Sequence, residues 1–302
     1  MAARTLSLPS FSGGVFAILR RPVVYYGIYT FILFLIFIIV TFPHEVLVRR
    51  ALDMVQSNSV TVTINGANFA WWNGYELEGL KVSALPLNEN APPLIEWSRL
   101  QLRPDYRSLF KGQLNSVVLW GELYGGTADG VITSVPGETT SVNARLEWSG
   151  VEIRRYRALT TWLDDGRLSG TLAGWFDGQM TQTAPPQGEG EIDLQRAGLA
   201  GGKIMGFTVP DLTIDDAKSK FTLKGDRLEL QEVTLSSSEI SIQLKGFVTL
   251  REPLGQSVPN LNLTIQKLPE SLKPLVTVFV PRAKTLPAQI AVSGTLARPQ
   301  LK

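Results

Sequence analysis

The chain has 302 residues, 44% of them hydrophobic, with 29 basic side chains against 27 acidic ones and a formal charge of +2. That length holds one large domain or two ordinary ones, and the charge balance lacks the basic footprint of a nucleic-acid binder. With no cysteine and a single histidine, disulfides, thiolate chemistry and Cys/His zinc clusters are excluded.

Residues 1–22 form an N-terminal segment carrying Arg4, Arg20 and Arg21. "VVYYGIYTFILFLIFIIVTF", residues 23–42, follows without a charge. As a helix rising 1.5 Å per residue it reaches roughly 30 Å, the thickness of a bilayer's hydrocarbon core. Tyr25, Tyr26 and Tyr29 gather at one end, where amphipathic rings favour the interface. The run is too long and too uniformly apolar for a core helix. No A-x-A site follows it, so it reads as an uncleaved transmembrane anchor instead of a signal peptide. Arg20 and Arg21 favour a cytosolic N-terminus, and Arg49 and Arg50 beyond the span make that bias small. Residues 43–57 read as a short amphipathic connecting helix, with Pro43 suited to its first turn.

Residues 58–302 read as β-rich. "SVTVTING" alternates Val60, Val62 and Ile64 with threonines and stops at Asn65-Gly66. Residues 218–250 alternate most clearly, with Gly-Asp, Ser-Ser-Ser and Lys-Gly separating the runs, and "NLNLTI" and "QIAVSG" continue the pattern. Strands with one apolar and one polar face predict an elongated, curved, largely antiparallel sheet. Its candidate apolar face carries Phe221, Leu223, Ile240, Ile242 and Leu244. Residues 148–165 read as a short helix or as two strands flanking a bend, 269–279 as a second helical candidate, and 183–191 as a loop. At ordinary strand length the region holds on the order of 16 to 18 strands.

Catalytic chemistry is not expected. His44 falls just past the apolar run, away from any nucleophile and carboxylate that would complete a triad. Asp164–Asp165 and Asp215–Asp216 read as turn and solvent-facing pairs, since a glycosidase places its carboxylates across a cleft. The basic run "RRYR", 154–157, reads as a solvated face, with lipid head groups or a partner as the functional alternative. No catalytic, cofactor-binding or metal-binding residue is assigned. Trp71 and Trp72, read on a strand, point to opposite faces, which favours core or edge packing over a sugar platform.

An anchor, then "FAWWNGYELEGLKV", then "IEWSRLQLRPDYRSLFKGQLNSVVLWGELYGG", with the ending "AQIAVSGTLARPQLK", resembles the type II secretion system protein N family within the broader AsmA-like group. The resemblance implies a single-pass bacterial inner-membrane protein with a periplasmic, AsmA-like β-domain. Its function would be that of a non-catalytic accessory component of type II protein secretion, the partners being other envelope components of that machine. The broader group implies an alternative, a lipid carrier that holds acyl chains in an apolar groove of the sheet. No catalytic residue or cofactor comes with the resemblance.

Overall fold

The computed structural model describes residues 22–55, 60–84, 92–109, 115–134, 141–156, 166–181, 184–204, 207–208, 211–252, 254–270, 272, 286–296 and 298–301. Its contacts divide the chain into two units, Met1–Leu47 and Val48–Lys302.

In the first unit the uncharged run forms the helix Pro22–Thr41. Proline, lacking a free N–H, suits its first turn. At the other end the Thr41 hydroxyl donates to the Phe37 carbonyl at 2.6 Å. A second helix, His44–Val55, begins after Pro43, and the Phe42 and His44 rings lie 5.1 Å apart. The described side chains of the first helix are exposed. Among the described residues, no helix is long and apolar enough to cross a membrane.

The second unit is one large antiparallel sheet. Its strands are β1 (Val60–Thr63), β2 (Gly66–Phe69), β3 (Tyr75–Ala84), β4 (Ile95–Pro104), β5 (Ser116–Leu123), β6 (Gly126–Ser134), β7 (Val142–Glu152), β8 (Arg167–Met180) and β9 (Gln187–Ala200). After a two-stranded excursion, β10 (Lys203–Ile204) and β11 (Phe207–Thr208), it resumes with β12 (Leu212–Lys224), β13 (Arg227–Ser236), β14 (Ser241–Thr249), β15 (Val258–Lys267), β16 (Ala288–Thr295) and β17 (Arg298–Leu301). The path β1-β3-β4-β5-β6-β7-β8-β9-β12-β13-β14-β15-β16-β17 contains 14 strands, and β2 pairs with β3 beside β1. The ends of this path do not meet, so the sheet is open.

Side chains directly opposite in an antiparallel pair share a face. Leu77 opposes Leu100, and Leu102 opposes Leu119. Farther along, Ala128 opposes Trp148, and Leu146 opposes Phe176. Near the far end Leu244 opposes Leu263, and Leu263 opposes Ile290. One face is therefore apolar from end to end. Val48 and Leu52 of the second helix pack onto it beside Leu77, Leu80 and Leu100. The other face carries cross-strand ion pairs, among them Lys81–Glu96 at 3.3 Å, Arg145–Asp177 at 2.7 Å and Lys220–Glu191 at 3.7 Å. These pairs are solvent-exposed and contribute about 0–1 kcal/mol each. They keep one face wet and fix which face is not.

Several expectations are corrected. Trp71–Asn73 is a one-turn 3-10 helix, not strand, so the two tryptophans do not alternate across a sheet. Gly74 follows at φ 85°, and a Cβ there would lie 2.9 Å from Arg103 Cα. Lys245-Gly246 does not separate two strands; β14 runs through it. Asp215 and Asp216 lie within β12, not in a turn. The loop expected over 183–191 ends before Gln187, where β9 begins and pairs back onto β8. Residues 148–156 form the end of β7 and a 3-10 turn, Ile153–Arg155. Residues 157–165, with Asp164–Asp165, and 273–279 lie outside the described residues.

Candidate functional site

The apolar face deepens into a cavity of about 290 Å³. Five consecutive strands supply its floor: Ile95 and Trp97 from β4, Leu123 from β5, Ala128 from β6, Leu146, Trp148 and Val151 from β7, and Leu172 from β8. Tyr124, Ile153 and Tyr156 complete the lining. A concavity with almost wholly apolar walls takes an apolar ligand, because a polar group placed there would lose its water without replacement.

Local sequence explains the wall at one end. Tyr124-Gly125 is the two-residue loop joining β5 to β6, with φ 47° and 82°. Positive φ at both positions is the type I′ hairpin geometry, whose twist matches the strands. Tyr124 thus sits in the left-handed region, which a bulky side chain occupies at a cost. Its ring meets Tyr156 edge to face, with centroids 5.4 Å apart. Burial, with Tyr156 adding to it, pushes the Tyr124 phenol up to about 12. The Glu152 N–H donates to the Tyr124 carbonyl at 3.0 Å, tying the end of β7 to this loop.

The end of β7 brings charge to the rim. Between the lining residues Ile153 and Tyr156 stand Arg154 and Arg155. Both donate from Nε to the same Glu152 oxygen, at 2.7 and 3.0 Å. Arg154 first, and then Arg155, hold the Glu152 carboxyl below the usual carboxylate range. The Arg155 guanidinium also lies against the hairpin loop: a Cβ on Gly125 would come 2.8 Å from its Cζ.

Aromatic rings lie over glycines along the apolar face. A Cβ on Gly174 would stand 2.6 Å from Trp148 Cζ2, and one on Gly190 would stand 2.5 Å from Phe221 Cζ. Phe176 covers Gly178 and Gly188 in the same way, and stacks with Phe221 at 6.3 Å and 11°. Rings laid flat keep the face low and continuous beyond the cavity.

Of the residues assigned from sequence to the apolar face, Phe221 opposes Leu230 and Leu223 opposes Leu228. Ile242 opposes Leu235 and Ile265, and Leu244 opposes Val233 and Leu263. The register places these four on one face, the face that also carries the cavity. Ile240 is buried, but in the turn before β14, where its N–H donates to Ser237 Oγ at 3.1 Å. None of the five lines the cavity, which lies nearer the N-terminal end of the sheet. The cavity residues come from positions 95 to 172, and only the cross-strand register brings them together. The one signal in the sequence is "RRYR", whose Arg154 and Arg155 mark the rim.

On the ionic face, Val118, Trp120, Val131 and Trp175 are exposed. Val118 opposes Val131, with Trp120 two positions along the same strand, so these three form one patch. Among the described residues, no group of three or more histidine, aspartate or glutamate side chains is placed to hold a metal ion. No family model, no curated protein and no solved structure matches the chain.

Proposed function

We propose that this chain is a membrane-anchored, non-catalytic lipid-binding protein that holds an acyl chain on the apolar face of its sheet. The cavity carries this reading: its walls offer dispersion contacts and almost no hydrogen-bonding group. Its volume lies at the small end of ligand pockets, roughly 300–1,000 Å³. That suits a length of one acyl tail, and the apolar face beyond Trp148 extends the track. The anchor in this reading rests on the sequence: residues 23–42 carry no charge, and 20 residues at 1.5 Å each would reach about 30 Å, the thickness of a bilayer's hydrocarbon core. It would hold the sheet beside the bacterial inner membrane, with residues 58–302 periplasmic and the sheet curved about its cargo.

The second reading is an accessory component of type II protein secretion, with the sheet as an assembly module. It is favoured by the exposed patch of Val118, Trp120 and Val131, since aromatic side chains on a wet face are enriched at protein interfaces. The short edge strands β1 and β17 offer further places for strand addition. A photoreactive residue at Leu146 separates the two in living cells. Lipid adducts support the carrier. Adducts only to secretion proteins sink it and favour the subunit. Deleting the gene extends the comparison: a carrier's loss raises envelope permeability with secretion intact, whereas a subunit's loss leaves exported proteins in the periplasm.

A further inference from the structure

We infer that the cavity selects lipids with an anionic head group, and that Arg154 and Arg155 are the residues that read the charge. The inference rests on the acyl-binding reading above and names its ligand class. A tail in a cavity walled by Ile153 and Tyr156 brings its head group to the turn between those residues, where the two arginines stand. Their Nε atoms converge on one Glu152 oxygen, at 2.7 and 3.0 Å. Two guanidiniums against one carboxylate leave one positive charge unbalanced within that trio. Each guanidinium has five N–H donors, so bonding Glu152 through Nε leaves the terminal nitrogens for phosphate oxygens. Arg155 is further positioned by its packing on the Gly125 loop, so ordering it on binding costs less side-chain entropy. Glu152 therefore holds the pair in place and also competes with the ligand for it.

The competition gives the test opposite signs. The full chain in a maltoside detergent is titrated with brominated lysophosphatidylglycerol or with brominated lysophosphatidylcholine of the same tail, and tryptophan quenching reports tails reaching Trp97 and Trp148. The expected result is a preference of about fivefold for the glycerol lipid, the scale of one exposed ion pair, shrinking in high salt. R154Q with R155Q removes the preference, whereas E152Q increases it. R227Q, on the ionic face, leaves it unchanged. Equal quenching by the two lipids overturns the head-group inference and leaves acyl binding standing. An equal loss in R227Q also overturns it, because overall charge would then be the cause. A decrease in E152Q shows that the trio is only structural. Absence of quenching by either lipid overturns both readings.

Discussion

Tyr124 carries the cost of its position in the backbone and the reason for it in the side chain. Its φ of 47° suits asparagine or glycine better, yet its ring walls the cavity. The phenol is raised from about 10 to about 12 by burial. The folded state therefore keeps its proton where the unfolded chain has begun to lose it. Stability is unaffected below about pH 10 and falls as pH rises from there toward 12. A phenolate absorbance titration should show one tyrosine ionising near 12. Tyr124→Phe should remove that step and flatten the corresponding loss of melting temperature. Glycines supply the second residue-scale expectation. Gly190→Val would drive a side chain into the Phe221 ring and the Trp175 carbonyl, so it should destabilise by about 1–3 kcal/mol in urea unfolding. The same glycines hid part of the sheet from the sequence. In β6 the apolar face is Gly126, Ala128, Gly130 and Ile132, and in β9 it includes Gly188 and Gly190. The alternation there is not apolar against polar but small against polar, because rings from neighbouring strands occupy the space.

At the scale of the element, alternation was legible where both faces carry full-sized side chains. Residues 218–250 show period two, and β12, β13 and β14 follow it, with Gly225-Asp226 and the stretch from Ser237 to Ile240 as turns. Gly246 was misread as a break because glycine punctuates loops more often than strands. Here it opposes Leu230 and Leu261 on the apolar face. Trp71 and Trp72 were misread because aromatic residues suit strands, whereas the chain must reverse between β2 and β3. Beyond the "RRYR" run at its rim, the cavity was not legible, since it depends on the register of five strands. Ile242 tests that register farther along. It packs beside Ile265 and Ile290, so Ile242→Asp should lower the melting temperature steeply by burying an unpaired charge. An unchanged value would mean that β14 is out of register by one residue. The rim turn has its own expectation: Ile153→Asp should weaken acyl-chain quenching by placing a charge in the lining.

For the molecule as a whole, the proposed anchor makes orientation testable. An alkaline phosphatase fused after residue 302 should be active if the sheet is periplasmic, and a cytosolic reporter at the same place should be silent. The order of the strands carries a further consequence, one that concerns synthesis. Apart from the small β10–β11 excursion, each strand from β3 to β16 pairs with the strand made just before it and the one made just after. A chain that emerges N-terminus first can thus lay down strands one at a time on a growing edge. Pairing between sequence neighbours keeps most contacts local, which favours rapid assembly. Among the described strands, none has to wait, unpaired and aggregation-prone, for a distant partner still on the ribosome. β17, in turn, needs only the edge of β16 to pair.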